Sequence, residues 1–273
     1  MSSMQTPTAN LTFSTVYGPV NSWRYGRSLG LDPIGRVSTC SFDCIYCQLG
    51  AIENHTAKRD IYIPTEQILM ELQHCAPWDV DMITLSGSGE PTLAANLEEI
   101  IEEVKKLTHR PILVLTNGTM LGESEVSRAL GQCDRISVKL DGFATDTLRR
   151  VNRPVTGYDF NKIWQGILKF RQEYLGKFSI QTMVLTPWPK ESLETYIELM
   201  RSLSPDEIQL NAPTRPKPIK RQLDGRGNHS SSERRPYETK QLKCVSPEIF
   251  EQIAGEIRDR TEIPVKYKSE NKR

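Results

Sequence analysis

Three cysteines lie close together in the N-terminal part of the chain, at Cys40, Cys44 and Cys47, with the spacing C-x-x-x-C-x-x-C. Thiolates bind soft metals, and an ordinary iron–sulfur cluster takes four of them. This group supplies only three, so the spacing predicts a cluster in which one iron stays open to a small molecule. Such a cluster suits catalysis better than electron storage.

Other interpretations of the cysteines stay open at this stage. A structural zinc site needs a fourth Cys or His and usually takes two close pairs, but Cys75, Cys133 and Cys244 are isolated and His55 lies in a predicted loop. A disulfide framework is disfavoured because six cysteines are spread over 273 residues without a secretory start. A chance grouping of buried thiols is the last alternative. We favour the redox cluster.

The overall composition is that of an ordinary globular protein. Its net charge of +1 excludes an overall polycation, so any nucleic-acid binding must come from a local basic patch. No apolar run approaches the ~18 residues that a membrane span needs, and the first residues lack a signal-peptide pattern. We therefore expect a cytoplasmic protein without membrane contact.

Apolar strands alternate with amphipathic helices along most of the chain. Residues 22–32, which contain glycines and two arginines, are expected to be a turn-rich lead-in whose arginines contact an anion or pair with surface carboxylates. A short strand or extended lead-in is expected at residues 13–20, and the first strand of the repeats is expected at residues 34–39, directly before the cysteines. Further strands are expected at residues 81–87, 111–118, 135–142, 178–185 and 207–211. Helices are expected at residues 65–72, 97–107, 123–130, 159–174, 190–203 and 246–260.

This alternation predicts right-handed β-α-β units and a parallel sheet. Six repeats, against eight in a complete barrel, predict an α/β fold built as an open, partial (βα)6 barrel. We expect an N-terminal extension over residues 1–33, the barrel core over residues 34–212, and a C-terminal extension over residues 213–273.

Polar residues follow several of the predicted strands. In parallel α/β architectures the active face lies at the C-terminal ends of the strands, which would bring residues 87–90, Asn117 and Asp141 to the cysteine loop. Turns that cap the loops are the alternative role for Asn117 and Asp141. Lys139 lies within an apolar strand, where a charge is costly unless it finds a partner or a cavity. Strand alternation places Ser137, Lys139 and Asp141 on one face, which favours a role in the site.

The segment 213–243 interrupts the pattern of strands and helices. It has no clear apolar period, and its nine basic and three acidic residues give a local charge of +6. The interpretation that we favour here is a solvated, partly disordered surface loop. The functional alternative is a lid or arm that binds a phosphate-bearing or acidic partner, tRNA included.

The cysteine loop, with Tyr46 just before its last cysteine, resembles the motif of the radical S-adenosylmethionine superfamily. The six β-α repeats resemble the partial barrel of that superfamily. Residues 86–92 resemble its glycine-glycine-glutamate segment after the second strand, with Ser88 where many members have glycine. A glycine there allows close approach of the backbone to a ligand.

The resemblance implies that Cys40, Cys44 and Cys47 hold a [4Fe-4S] cluster. S-adenosyl-L-methionine would bind the fourth iron through its amino and carboxylate groups. Reductive cleavage of its sulfonium would then give a 5'-deoxyadenosyl radical that abstracts hydrogen from a substrate, which the sequence does not identify. The electron would come from a flavodoxin- or ferredoxin-like donor.

The resemblance also implies roles for residues around the cluster. The exposed backbone at Ser88, Gly89 and Glu90 would receive the methionine amino group, and the backbone at Tyr46 would lie near the adenine. Asn117 and Asp141 are candidates for contact with cofactor or substrate. Lys139 would bind the cofactor carboxylate or act on the substrate.

A closer resemblance is to the small members of a subgroup related to the wyosine-forming tRNA enzymes. It lies in residues 16–20, 28–30, 86–93, 115–118, 152–154 and 209–216. The tRNA-modifying members carry upstream cysteines for a second cluster, whereas no cysteine precedes Cys40. The main hypothesis is therefore a radical S-adenosylmethionine enzyme. The alternatives are a tRNA-base-modifying enzyme of the wyosine type and a noncatalytic iron–sulfur or zinc RNA-binding module.

Overall fold

A sheet of eight strands, curled into half a barrel, forms the centre of the protein in a computed structural model that describes residues 13–226 and 237–268. The strands in chain order are β1 (Val16–Ser22), β2 (Gly26–Leu31), β3 (Thr39–Cys40), β4 (Asn54–His55), β5 (Met82–Leu85), β6 (Ile112–Thr116), β7 (Arg135–Lys139), β8 (Lys177–Met183), β9 (Glu207–Asn211), β10 (Lys217–Pro218), β11 (Thr239–Lys240) and β12 (Val265–Lys266).

The order of strands across the large sheet is β1-β2-β5-β6-β7-β8-β9-β12. From β2 to β9, each strand pairs in parallel with the next one in this order. β1 is antiparallel to β2 at one edge, and β12 is parallel to β9 at the other. The predicted α/β fold and partial barrel are confirmed, because six consecutive parallel strands follow one another in chain order.

Helices connect these strands and supply the apolar layer against the sheet. They are α1 (Thr65–Gln73), α2 (Leu97–Thr108), α3 (Ser124–Gly131), α4 (Thr145–Val151), α5 (Phe160–Glu173), α6 (Lys190–Leu203) and α7 (Pro247–Thr261). Leu97, Ile100, Ile101 and Val104 of α2 are fully buried, the spacing expected of one helical face turned to the core. None of the helices in the described part of the chain combines the length and apolar character needed to span a bilayer.

The first parallel strand lies earlier in the chain than expected. β2 occupies Gly26–Leu31, within the segment expected to be turn-rich, whereas residues 34–38 are irregular. Pairing with β1 and β5 overrides the weak strand propensity of this glycine-containing segment. Gly30 is required because a Cβ there would lie 2.2 Å from the ring of Tyr17. Arg27 forms an ion pair with Asp79 at 2.7 Å. For this arginine, the structure therefore shows the pairing with a surface carboxylate that was the alternative to anion contact.

The predicted division of the chain at residues 33 and 212 stays a prediction, although β1, β2 and β12 lie outside the predicted core and join its sheet. α4 was not predicted from the sequence, because Leu148 is its one buried residue and the helix has no apolar period. For α7, the predicted start is confirmed: Ser246 accepts a hydrogen bond from the backbone N–H of Ile249, and Pro247 is the first helical residue.

Candidate metal and cofactor site

The cysteine loop lies in the connection between β2 and α1 and packs against the loop that follows β5. The backbone N–H of Thr39 donates to the carbonyl of Ser88 at 3.1 Å, and the N–H of Glu90 donates to the carbonyl of Thr39 at 3.0 Å. A Cβ at Gly89 would lie 1.7 Å from the carbonyl oxygen of Thr39. Glycine is therefore required here by contact between two protein segments, and a contact of Gly89 with a cofactor stays a prediction.

Glu90 joins the ends of β5 and β6 from a buried position. Its Oε1 accepts from the hydroxyl groups of Thr92 and Thr116, at 2.7 and 2.6 Å, and its Oε2 accepts from the backbone N–H of Asn117 at 2.7 Å. Burial raises the pKa of Glu90, and these hydrogen bonds oppose the shift. This carboxylate fixes the loops beside Cys40, and a direct contact with a cofactor stays a prediction.

Ser88 is fully buried on the same loop. Its backbone N–H donates to Oδ2 of Asp32 at 3.0 Å, and its Oγ accepts from Nη2 of Arg221 at 2.9 Å. Asp32, at the end of β2, thus positions the loop after β5, and the sequence analysis gave it no role.

The three cysteine side chains are partly buried and free of disulfides. Burial, followed by the charge of Glu90 and the neighbouring thiols, raises the pKa of Cys40 well above its usual range. Burial and the charge of Asp141 raise the pKa of Cys44 to about 12, and burial raises the pKa of Cys47. Without a metal these thiols are protonated at neutral pH, so metal binding must displace their protons.

Two buried asparagine amides face these sulfurs. Nδ2 of Asn117 lies 3.6 Å from Sγ of Cys40 and 2.9 Å from Oγ of Ser41. Nδ2 of Asn152 lies 3.3 Å from Sγ of Cys44. Asn117 was predicted from the sequence to lie at the site, whereas no role was predicted for Asn152. The position of Asn152 directly before Arg-Pro indicates only that a helix ends there, and it does not indicate a contact with a cysteine.

Asp141 is the centre of a second buried group beside the cysteine loop. Its Oδ2 accepts from Nδ2 of Asn152 at 2.9 Å and from the hydroxyl of Tyr46, and its Oδ1 accepts from the backbone N–H of Met183 at 2.7 Å. Nζ of Lys139 lies 3.5 Å from Oδ1 of Asp141 and 4.8 Å from the ring centre of Tyr46. The structure therefore brings Tyr46 to Lys139 and Asp141, which strand alternation had placed on one face, and Lys139 has the partner that its charge requires.

Residues 213–226, which we call the C-terminal strap, cover the cysteine loop. Their basic side chains donate to protein groups: Arg215 to Oε1 of Gln48 at 2.5 Å, Lys217 to the carbonyl of Cys44 at 3.0 Å, Arg221 to Oγ of Ser88 at 2.9 Å, and Arg226 to Oδ2 of Asp32 at 2.9 Å. The expectation of a solvated loop is wrong for this part of segment 213–243, because these cations donate to buried or partly buried protein groups. Residues 227–236 of that segment lie outside the described residues.

Two glycines form the seam between the strap and the cysteine loop. A Cβ at Gly50 would lie 2.3 Å from the carbonyl oxygen of Lys220, and one at Gly225 would lie 2.4 Å from that of Gln48. The backbone N–H of Gln222 also donates to the carbonyl of Leu49 at 2.9 Å. The strap thus contacts the loop through backbone atoms as well as through its basic side chains.

We expect Gly50→Ala to loosen this seam. Gly157→Ala is the matched control, because both glycines have φ of +90° but the space around Gly157 is open. Both variants carry the left-handed strain, and Gly50→Ala adds an overlap that should lower the free energy of unfolding by about 1–3 kcal/mol more. Denaturant titrations measure the difference, and faster alkylation of Cys47 in Gly50→Ala would show that the strap has moved. Equal stability of the two variants would contradict the described seam.

The donor set of three thiols on one loop has the chemistry that an iron–sulfur cluster needs. Among residues 13–226 and 237–268, no three His, Cys, Asp or Glu side chains are grouped to hold one metal ion. A cluster places its thiolates on separate irons, so its cysteines need not meet at one point. Amide N–H groups aimed at thiolate sulfur are also suited to a cluster. A cavity of about 300 Å³, bordered by Pro19, Arg27 and Trp78, contains none of the predicted site residues in its lining.

Comparison with known proteins identifies the class to which this chain belongs. The family model described as "Radical SAM superfamily" matches residues 36–202. A UPF0026 protein of Synechocystis sp. is 54% identical over 257 residues, which cover 94% of this chain and 97% of that protein. The chain therefore belongs to the radical SAM superfamily, a superfamily of enzymes, and within it to the UPF0026 group.

More distant relatives match over part of their length. A UPF0026 protein of Methanocaldococcus jannaschii is 32% identical over 73% of this chain and 64% of its own length. A probable GTP 3',8-cyclase of Saccharolobus islandicus is 30% identical over 68% of this chain and 58% of its own length. The solved structure of native anSMEcpe with bound AdoMet has a TM-score of 0.58 at 16% identity and covers 88% of this chain and 63% of that chain. At that identity the structural likeness shows the fold alone.

Proposed function

We propose that this protein uses a [4Fe-4S] cluster, held by Cys40, Cys44 and Cys47, to cleave S-adenosyl-L-methionine reductively and abstract hydrogen from a substrate. The observation that carries the proposal is the position of the three cysteines. They lie in the first β-α connection of a half-barrel, against the polar ends of the next strands, in a chain of the radical SAM superfamily. Burial of the thiols and the packed strap limit the access of solvent to the loop.

The cluster, when bound, supplies the electron that divides the cofactor into methionine and a 5'-deoxyadenosyl radical. In this proposal the chain's own residues bind and orient the cofactor. The backbone at Ser88, Gly89 and Glu90 would receive the methionine amino group, and the backbone at Tyr46 would lie near the adenine. Lys139 offers a positive charge to the cofactor carboxylate or to the substrate, and its neighbour Asp141 holds that charge in place.

The partners follow from the same chemistry. The proposed activity needs a one-electron donor, for which a flavodoxin- or ferredoxin-like protein is the expected class. An acidic substrate such as tRNA would bind through segment 213–243. In its described part, Arg215, Lys217, Arg221 and Arg226 already contact protein groups, and the exposed cations are Lys220, Lys240 and Lys243. This arrangement supports the general radical enzyme more than the tRNA-modifying alternative.

Anaerobic reconstitution with iron and sulfide tests the proposal. We expect a cluster whose electron paramagnetic resonance spectrum changes when S-adenosyl-L-methionine is added. After reduction with dithionite, 5'-deoxyadenosine should form, and a sample without reductant is the control. A cluster that shows no spectral change and forms no product would favour the noncatalytic iron–sulfur module. Binding of zinc without any cluster would favour the zinc module.

A further inference from the structure

We infer that Asn117 and Asn152 are positioning residues that raise the reduction potential of the cluster by donating N–H···S hydrogen bonds to Cys40 and Cys44. The inference rests on the proposed function for the presence of the cluster. It adds two residues, on different elements, that act on the cluster through its ligands.

Asn152 is held against the cysteine loop by both its backbone and its side chain. It is the residue after α4, and its carbonyl accepts from the backbone N–H of Asp43 at 3.0 Å. Its Nδ2 lies between Sγ of Cys44, at 3.3 Å, and Oδ2 of Asp141, at 2.9 Å. A carboxylate accepts and does not donate, so Asp141 fixes the amide with its N–H groups toward the sulfur.

The other end of the same amide is left without a hydrogen bond. Oδ1 of Asn152 is buried and has no hydrogen-bond partner among the described residues. A buried acceptor without a partner costs stability, on the order of 1–3 kcal/mol. An apolar side chain would avoid that cost. The presence of an amide here is explained by its N–H groups, which donate to Cys44 and Asp141.

Asn117 reaches the site from β6 with an equally defined orientation. Its backbone N–H donates to Oε2 of Glu90, and its Oδ1 accepts from the backbone N–H and the hydroxyl of Thr119 at 3.0 and 2.8 Å. Because the backbone N–H of Thr119 can only donate, the amide oxygen must face Thr119. Nδ2 therefore faces Ser41, at 2.9 Å, and Sγ of Cys40, at 3.6 Å.

The effect on the cluster has a definite sign. Reduction adds negative charge that the cysteine sulfurs share, and an N–H dipole aimed at sulfur stabilises the reduced form more than the oxidised form. Both asparagines are buried, so water screens these dipoles little. Each hydrogen bond should therefore raise the reduction potential and make the cluster easier to reduce.

The test measures midpoint potentials of reconstituted clusters by redox titration monitored by electron paramagnetic resonance. Asn152→Leu and Asn117→Leu keep a similar side-chain volume and remove the N–H donors, so each should have a lower potential than the parent protein. The matched control is Asn54→Leu, because Nδ2 of Asn54 donates to the hydroxyl of Thr39 at 3.3 Å, beside the loop. Its potential should be unchanged. Unchanged potentials in Asn117→Leu and Asn152→Leu, at parental cluster content, would overturn the inference.

A second measurement applies whether or not the leucine variants fold. Protein labelled with ¹⁵N only at asparagine should show hyperfine coupling between ¹⁵N and the reduced cluster of the parent chain. Absence of that coupling would overturn the inference without any variant. Failure to form a cluster in the parent chain is a different result, because it contradicts the proposed function itself.

Discussion

Replacing Cys44 with alanine should abolish the formation of 5'-deoxyadenosine and prevent assembly of an intact cluster. The proposed site has three thiolates, so the loss of one leaves two irons without a protein ligand. The fold should persist, because Asn152 still donates to Asp141 at 2.9 Å in the absence of the sulfur. Iron content, the visible absorption of the cluster and the amount of product measure the effect, and far-ultraviolet circular dichroism checks the fold.

Cys75→Ala is the matched control for this replacement. Cys75 is exposed after α1, and it is not part of the cysteine loop. Its replacement should leave iron content and product formation at the parental level. Persistence of the product in Cys44→Ala at the parental level would show that the cluster is held elsewhere.

Glu90→Ala should lower the free energy of unfolding by roughly 3 kcal/mol or more, because each buried donor left without an acceptor costs about 1–3 kcal/mol. The backbone N–H groups of Thr92 and Asn117 and the hydroxyl of Thr116 all lose their acceptor. The loops after β5 and β6 should then separate, and cluster loading should fall in parallel. Urea titrations and iron content measure the two effects.

Glu125→Ala supplies the comparison for Glu90→Ala. Glu125 pairs with Arg59, and the side chain of Glu125 is 70% exposed. Loss of this exposed carboxylate should cost less than about 1 kcal/mol, because Arg59 keeps its hydrogen bonds to the carbonyls of Thr92 and Ala94. If the two alanine variants were equally stable, Glu90 would not hold the loops together.

The cysteine motif and the order of the repeats could be predicted from the sequence because both depend on local pattern. Thiol spacing is visible in eight residues, and the apolar period of α2 or α5 is visible in one helix. β2 was not predicted, because Gly26–Leu31 becomes a strand through its neighbours in the sheet and not through its own propensity. α4 was not predicted because it carries one buried side chain.

The roles of single residues were harder to predict where the partner is distant in the chain. The glycines of residues 87–89 suggested close approach to a ligand, but a Cβ at Gly87 would lie 2.4 Å from the side chain of Asp32, and one at Gly89 would lie 1.7 Å from the Thr39 carbonyl. The contact of Asn152 with Cys44 spans 108 residues. No pattern within a short window indicates such a contact, so the three-dimensional structure was needed to find it.

The strap follows the cysteine loop in the chain, so the site is complete only after the strap has been translated. Lys217, which donates to the carbonyl of Cys44, follows that cysteine by 173 residues. While the ribosome is still translating the intervening stretch, the thiols have emerged but their cover has not been made. Iron delivery before the end of translation would therefore meet a loop without the strap, whereas delivery to the completed polypeptide would meet the loop with the strap packed on it.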